Sequence, residues 1–314
     1  MAADQDGVAS TVAVLGGTGS VGRHVCAAFA EAGHRVVVLS RTPDARVARH
    51  RFVPLDLAAV NPEHLAATLT ALDARIVVNA AGSWSNSADE LTSAHIRLAE
   101  NLVAALSAMR PTPRLVHLGT VHEYGIKPAG AALAEDTEHT PETDFARTKY
   151  ESSRRILAAA EAGTVDAIVL RVANVYGPDP AAASFLGYLA ATLPGVDPDV
   201  GIELTIAEAR RDYVDNRDVA DAVLLAARHR GEHRVFNIGS GTATPLRELV
   251  YGLVAAAGLP ASAVREKSAA VTSKGGDWTR VDATRAHTEL GWLPRRTPAD
   301  SMRALIRETS TAAP

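Results

Sequence analysis

The chain is poor in cysteine and has no long apolar run. Its 314 residues include 1 cysteine, Cys26, which excludes an internal disulfide framework and predicts a small buried apolar side chain. No apolar run approaches the length of a membrane span. A charged N-terminal region followed by an apolar segment is also lacking, so we expect a cytoplasmic protein that does not bind a membrane.

The charge balance excludes a further class of function. The formal net charge is −4 at pH 7 and the pI is about 6.3, so no overall positive field indicates nucleic-acid binding. No metal-ligand set is expected, and no internal repeat or low-complexity linker divides the chain. Residues 1–9 and 307–314 are expected to be flexible ends.

Short apolar runs alternate with helical patterns along most of the chain. This alternation is typical of a parallel α/β sheet. We predict a Rossmann-type, doubly wound parallel sheet in a dinucleotide-binding domain of residues 10–173 plus about 218–240. About 174–217 plus 241–306 are expected to form a smaller, discontinuous C-terminal lobe that binds the substrate.

Three glycines follow the first predicted strand, Thr11–Leu15, at the spacing of a dinucleotide-binding turn. The first permits a tight turn, the second lets the backbone approach a pyrophosphate, and the third lets the helix pack on the strand. The helix N-terminus offers N–H groups to phosphate. A purely structural turn is the alternative. The residues predicted to bind here are Gly16, Thr18, Gly19, Ser20, Val21 and Gly22.

The end of the second strand indicates which dinucleotide binds. The strand Arg35–Leu39 is followed by Ser40 and Arg41. An acid there would bond the ribose 2′-hydroxyl and favour NAD, whereas a hydroxyl and a guanidinium suit a 2′-phosphate. NADP is therefore favoured and NAD is the alternative, unless Arg41 is simply a solvated surface charge.

Six motifs occur in a fixed order between Thr11 and about Ile306. They are Gly16–Gly22, Asn79–Gly82, Thr120–Gly125, Leu170–Pro178, Arg211–Asp215 and Leu290–Pro294. Together they resemble the extended short-chain dehydrogenase/reductase family, in its nucleotide-sugar epimerase, dehydratase and reductase branch. The resemblance implies an NAD(P)-dependent oxidoreductase with a nucleotide-sugar substrate. Further residues assigned to the dinucleotide are Asp56, Leu57, Ala80, Ala81, Gly82, Lys149, Val172 and Ala173.

In that family a Ser or Thr, a Tyr and a Lys carry the chemistry. The Tyr and Lys lie four residues apart on a helix, so they face the same way. The Lys lowers the pKa of the Tyr, which acts as general acid or base while hydride moves. Thr120 and Lys149 match two of these positions. The tyrosine position holds Phe145, which has no proton to give.

Three interpretations of Phe145 stay open. It is a deliberate Tyr-to-Phe change in an otherwise active enzyme, or the natural protein recruits another proton donor, or the chain is a non-catalytic NADP-binding sensor or scaffold. Tyr150 lies one position past Lys149, about 100° round the helix, which argues against a simple replacement. The candidate donors are Tyr124, Tyr150, His122 and Thr120.

The resemblance also implies substrate contacts. Asn174 would lie near the substrate diphosphate and Arg211 on it, where a charge-assisted bond suits phosphate; a salt bridge to Asp212 or Asp215 is the alternative for Arg211. A second diphosphate-binding cation would be Lys274 or Arg280. The residues predicted to contact the substrate are Thr120, His122, Tyr124, Asn174 and Arg211.

The resemblance implies an NADP-dependent 4-ketoreductase of a nucleotide-linked 4-keto-6-deoxyhexose, active in deoxysugar biosynthesis. The alternatives are a nucleotide-sugar 4-epimerase or dehydratase with bound NAD, and the sensor or scaffold. The resemblance further implies a symmetric homodimer paired through helices Thr92–Met109 and Phe145–Ala162. The apolar surface assigned to that pairing is Leu98, Leu102, Leu106, Leu157 and Ala158.

Overall fold

A computed structural model describes residues 9–181, 184–267 and 276–311, with side chains as far as Arg307. These residues form two compact units. The first consists of the described residues within Met1–Gly119, Arg147–Leu170 and Ala220–Val235, and the second of those within Thr120–Ala146, Arg171–Val219 and Phe236–Pro314.

The strands form three sheets. Their bounds are β1 Thr11–Leu15, β2 Arg35–Ser40, β3 Arg51–Pro54, β4 Ala74–Asn79, β5 Arg114–Thr120, β6 Asp166–Val172, β7 Asn174–Tyr176, β8 Ile202–Leu204, β9 Arg210–Asp215, β10 Val235–Ile238, β11 Ala243–Pro245 and β12 Val264–Glu266. The large sheet has seven strands in the order β10-β6-β5-β4-β1-β2-β3. From β1 the chain adds β2 and β3 on one side of the sheet, and then β4, β5, β6 and β10 on the other side. β1 pairs in parallel with β2 and with β4. The predicted doubly wound parallel sheet is confirmed.

Helices connect these strands. Their bounds are α1 Ser20–Glu31, α2 Pro62–Ala71, α3 Ala88–Leu91, α4 Leu98–Ala108, α5 Asp144–Glu161, α6 Phe185–Thr192, α7 Asn216–Arg228, α8 Leu246–Ala256 and α9 Pro298–Thr311. A π-helical segment, Thr92–Arg97, joins α3 to α4. The helix α9 continues to Thr311 and so includes part of the predicted flexible end from residue 307, which stays a prediction. Met302, Leu305 and Ile306 anchor this helix in an apolar core.

The core of the first unit lies between its sheet and α4. Leu98, Leu102 and Leu106 repeat every four residues, so they form one stripe on α4 that packs against the sheet, and each is at most 1% exposed. These leucines are therefore not available to a second copy, and the predicted dimer surface is wrong at all three. The outer side of α4 instead carries Glu100, whose carboxylate pairs with Arg155 of α5 at 2.9 Å.

The second unit contains the two small sheets. β9 lies between β7 and β11, and β8 pairs with β12. The segment Thr120–Ala146 belongs to this unit, although the sequence predicted it within the dinucleotide-binding domain. Backbone hydrogen bonds explain the difference, because Leu133 N–H donates to Arg280 O and Asp282 N–H donates to Leu133 O, each at 2.8 Å.

Candidate active site

The glycine turn joins β1 to α1 in a conformation that requires small residues. Gly16 has a φ of +74°, and a Cβ there would lie 2.7 to 2.9 Å from the backbone of Ala80 and Ala81. A Cβ at Gly22 would lie 2.2 Å from the Gly16 carbonyl oxygen. Gly19 is the N-cap of α1, so the helix presents its first N–H groups beside the turn, which suits a pyrophosphate. Of the other residues predicted to bind here, Thr18 lies in the turn, and Ser20 and Val21 are the first two residues of α1.

The end of β2 combines a buried hydroxyl with an exposed cation. Thr18 Oγ1 donates to Ser40 Oγ at 3.3 Å, and Ser40 Oγ donates to the Thr42 carbonyl at 2.9 Å. Arg41 is exposed. After β3, Asp56 is exposed and Leu57 is buried. A guanidinium stands where an acid would be needed to bind the 2′-hydroxyl of NAD.

A chain of buried polar groups supports the loop that follows β4. Asn79 Oδ1 accepts the Ala81 N–H at 3.2 Å, and its Nδ2 lies 3.0 Å from His117 Nδ1. The other ring nitrogen of His117 lies 3.3 Å from Ser152 Oγ. Burial, followed by the charge of Lys149, lowers the pKa of His117 well below its ordinary value. This imidazole is therefore neutral and serves as a fixed support.

Lys149 lies beside this loop. It is buried, and its Nζ donates to the Leu118 carbonyl at 2.7 Å. A Cβ at Gly82 would lie 3.9 Å from Lys149 Nζ and 3.5 Å from His95 Nε2. The structure thus brings together three predicted features of the first unit, namely the glycine turn, the Ala80–Gly82 loop and the lysine.

His95 is a site residue that the motifs did not identify. It lies in the π-helical segment, where its Nε2 accepts the Ser83 N–H at 3.2 Å and its Nδ1 lies 2.9 Å from Thr148 Oγ1. Burial is the main cause that lowers its pKa to about 3. A usable signal was present, because the apolar stripe that contains Leu91 and Leu98 places a histidine in the buried face.

Thr120 is the first of the predicted site residues of the second unit along the chain. It caps the short helix Val121–Tyr124, with its Oγ1 accepting the His122 N–H at 3.4 Å. Its own N–H donates to Glu123 Oε1 at 2.9 Å, and the Glu123 carboxylate pairs with Arg171 at 3.1 Å. A buried ion pair therefore fixes the backbone that carries the Thr120 hydroxyl.

The Tyr124 hydroxyl is bound to protein groups inside the second unit, and its predicted substrate contact stays a prediction. The side chain is fully buried, and its Oη donates to Asn237 Oδ1 at 2.7 Å while it accepts from Arg171 at 3.0 Å. Burial raises the pKa of this phenol to about 12. Tyr124 thus fits the role of proton donor less well.

His122 and Phe145 lie against each other. Their ring centroids are 6.2 Å apart and the planes meet at 71°, an edge-to-face contact. The Asn174 side chain lies near the His122 ring and favours its protonated form. Burial and then the cation of Arg211 lower the pKa of His122 to about 4, against the opposing effect of Asn174. A titratable ring therefore adjoins the position where the family has its tyrosine.

Arg211 donates to a backbone carbonyl. Its Nε donates to the Gly276 carbonyl at 3.0 Å, and a second guanidinium N–H reaches the same oxygen. Asp215 pairs with Arg217 at 2.7 Å. The Asp212 carboxylate accepts the backbone N–H groups of Ser240, Gly241 and Val281. Both acids thus have other main partners, which supports the anion-binding interpretation of Arg211.

The remaining predicted residues have varied surroundings. Val172 and Ala173 are buried in the second unit, at the end of β6 and directly after it. Arg280 donates to the Gly130 carbonyl at 3.2 Å. Lys274 lies outside the described residues.

The structure also bears on metal-ligand groups, on membrane-spanning helices and on the surroundings of Cys26. Within the described ranges, no group of three or more His, Cys, Asp or Glu side chains is placed to hold a metal ion. Among the helices that the structure describes, none combines the length and apolarity needed to cross a membrane. Cys26 is buried as expected, and burial raises the pKa of its thiol to about 12.

Comparison with known proteins identifies the family. A family model described as the NAD dependent epimerase/dehydratase family matches residues 12–239. A dTDP-6-deoxy-L-talose 4-dehydrogenase (NAD(P)(+)) of Kitasatospora kifunensis is 38% identical over 305 residues, covering 96% of this chain and 96% of that protein. A dTDP-4-dehydro-6-deoxyglucose reductase of Escherichia coli is 25% identical over 190 residues, covering 60% of this chain and 58% of the relative.

A solved structure confirms the fold. The UDP-glucose 4-epimerase of Thermotoga maritima, solved with UDP-glucose, superposes with a TM-score of 0.85 at 21% identity, covering 96% of this chain and 99% of that one. The resemblance inferred from the motifs and the expected nicotinamide dinucleotide are both confirmed at the level of the family. The chain belongs to the NAD-dependent epimerase/dehydratase family, that is, to the extended short-chain dehydrogenases/reductases, and is an NAD(P)-dependent enzyme of that type.

Proposed function

We propose that this protein is an NADP-dependent 4-ketoreductase of a nucleoside-diphosphate-linked 4-keto-6-deoxyhexose, catalysing the reaction in either direction. The observation that carries the proposal is the 38% identity to a 6-deoxyhexose 4-dehydrogenase along 96% of the chain. Two UDP-glucose 4-epimerases share less of the sequence, at 26% and 30% identity. The guanidinium after β2 supports NADP as the dinucleotide.

The residues of the first unit fit the dinucleotide. Side chains at Gly16 and Gly22 would collide with backbone, so the turn is built around bare backbone of the kind that pyrophosphate approaches. Ser40 and Arg41 would take the 2′-phosphate, and Lys149 the nicotinamide ribose. When bound, the reduced nicotinamide supplies hydride to a carbonyl carbon.

The residues of the second unit fit the sugar nucleotide. Arg211 supplies a guanidinium, the group that suits a diphosphate. The Thr120 hydroxyl is held by its capping interactions and would orient the reacting oxygen. Because Phe145 cannot move a proton, another group has to supply it.

Cofactor stoichiometry tests the proposed function. With dTDP-4-keto-6-deoxyglucose and NADPH, we expect one NADPH oxidised for each sugar reduced, followed by absorbance at 340 nm and by product chromatography. A 4-epimerase would return its dinucleotide unchanged after each turnover. Failure to oxidise NADPH with dTDP-, UDP- and GDP-linked 4-keto-6-deoxyhexoses would overturn the proposal.

Arg41→Ala is expected to weaken NADPH binding selectively. Loss of a charge-assisted contact to the 2′-phosphate costs about 1.5–3 kcal/mol, which corresponds to roughly 10- to 150-fold in Kd. NADH lacks that phosphate, so its Kd is expected to stay within about twofold. Titration of nucleotide fluorescence measures both, and equal losses would show that Arg41 does not bind the 2′-phosphate.

The homodimer stays a prediction with a revised surface. The leucines of α4 are buried in the first unit, so pairing through α4 and α5 would rely on their outer sides, where Ala158 is exposed. We expect a dimer mass by light scattering at micromolar concentration, and Ala158→Arg is expected to shift the mass toward that of a monomer. A monomer mass for the unaltered protein would contradict the prediction.

A further inference from the structure

The second unit has no phenol at position 145, yet a titratable ring lies directly beside that position. We propose that His122 carries the proton that a tyrosine at position 145 would carry, and this inference rests on the proposed keto-sugar chemistry. His122 and Phe145 are in edge-to-face contact, with centroids 6.2 Å apart. A substrate oxygen close to the position of the missing phenol would therefore be close to the imidazole.

The Asn174 side chain is the polar group that acts on the His122 ring. Asn174 Nδ2 donates to the Asp212 carbonyl at 3.0 Å, so the amide oxygen is the atom of Asn174 that can accept from the ring N–H of His122. Asp212 is itself anchored by bonds from Ser240, Gly241 and Val281. A neutral imidazole that gives its one N–H to Asn174 keeps a lone pair on its other nitrogen. That nitrogen is the atom that can exchange a proton with substrate.

The other candidate donors fit the role less well. Tyr124 commits its hydroxyl to Asn237 and Arg171. Thr120 Oγ1 accepts the backbone N–H of His122 and is placed to orient the reacting oxygen of the substrate. Tyr150 lies about 100° round α5 from Lys149. His122 is the candidate whose side chain both titrates and contacts Phe145.

The charge of Arg211 acts against protonation of His122. The groups that act on His122 are Phe145 of α5, Asn174 of β7 and Arg211 of β9, and the Arg211 cation disfavours a second proton on the ring. A diphosphate bound to Arg211 would offset that cation, because opposite charges favour the protonated imidazole. The protonated form of the His122 ring would then be more populated with substrate bound than without it.

The proton transfer balances in both directions. In reduction, hydride forms a C–H bond at the carbonyl carbon, the C=O π bond breaks, and the oxygen takes the proton from the second ring nitrogen of His122. NADPH is oxidised, the sugar is reduced, and His122 becomes neutral and regains a proton from water. In oxidation, the lone-pair nitrogen accepts the hydroxyl proton as hydride leaves for NADP⁺.

His122→Ala and His122→Gln test the assignment. We expect kcat to fall by roughly 10²–10⁴-fold in both, since this is the usual contribution of general acid–base catalysis. The Kd of NADPH, measured by fluorescence, is expected to stay within about twofold. Added imidazole is expected to raise the kcat of His122→Ala at least about tenfold, because it supplies the missing proton carrier. His287→Ala changes an exposed histidine and is the control. Its kcat is expected to equal that of the unaltered protein, and added imidazole is expected to leave it unchanged.

A double variant distinguishes the loss of a proton carrier from a structural defect. Phe145→Tyr in the His122→Ala protein supplies an acid from the neighbouring ring. Recovery of kcat with imidazole or with this tyrosine supports the proton-carrier role. A kcat within threefold of the unaltered protein, or a loss that neither addition restores, overturns it. An unaltered protein that is inactive on every keto sugar overturns the proposed function instead.

Discussion

Changing Phe145 to Tyr in the His122→Ala protein is expected to raise kcat at least a hundredfold. The substitution adds a hydroxyl and keeps the ring that already packs against position 122. General acid–base assistance is worth roughly 10²–10⁴-fold, so regaining a proton donor is expected to recover a factor of that size. Initial rates of NADPH oxidation with saturating keto sugar measure the change.

Lys149 is expected to control that gain. Position 145 lies four residues before Lys149 on α5, and residues at this spacing lie on the same side of a helix. A phenol has an unperturbed pKa of about 10, which a nearby cation lowers toward neutrality. The charge of Lys149 acts on neighbouring groups, since it contributes to the lowered pKa values of His95 and His117. In a Lys149→Ala background, the tyrosine is expected to raise kcat less than tenfold.

The single variant Phe145→Tyr separates the interpretations of this position. If His122 already carries the proton, the added phenol is expected to change kcat less than tenfold. A gain of a hundredfold or more in the presence of His122 would instead favour the interpretation that position 145 has lost a native tyrosine. Inactivity of every variant on every keto sugar would favour the NADP-binding sensor or scaffold.

Local backbone requirements made part of this site predictable from the sequence. Gly16 and Gly22 could be assigned because a Cβ at either position would meet backbone, so the residue type itself reports the geometry. The strands of the sheet were predictable because parallel strands buried on both faces are continuous apolar runs. The run Val12–Leu15, for example, is fully buried.

Contacts between distant segments were not predictable in the same way. The leucines of α4 fit an apolar stripe, but the stripe alone does not show whether a sheet or a second copy covers it. His95 lies in that stripe, and its role depends on Ser83 and Thr148 at other positions of the chain. Tyr124 was assigned by its motif, whereas its partner Asn237 lies more than a hundred residues further on.

Arg171→Met is expected to destabilise the protein by about 3–5 kcal/mol, the usual effect of leaving one charge of a buried pair without its partner. Glu123 is 0% exposed and Arg171 is 4% exposed, and their side chains are 3.1 Å apart. Arg171 also lies over the Tyr124 ring at 4.8 Å and donates to its hydroxyl. Urea unfolding followed by circular dichroism at pH 7 measures the change in free energy.

The double variant Glu123→Gln/Arg171→Met is the matched control for that effect. The glutamine side chain would be neutral and its oxygen could still accept the Thr120 N–H, so the uncompensated buried charge is removed while the turn keeps its bond. We expect the double variant to be about 1–3 kcal/mol more stable than Arg171→Met, a coupling of the size found between contacting residues. A double variant as unstable as the single one would show that the cost comes from lost packing around Tyr124. In that case the ion pair would not be what holds Thr120 in place.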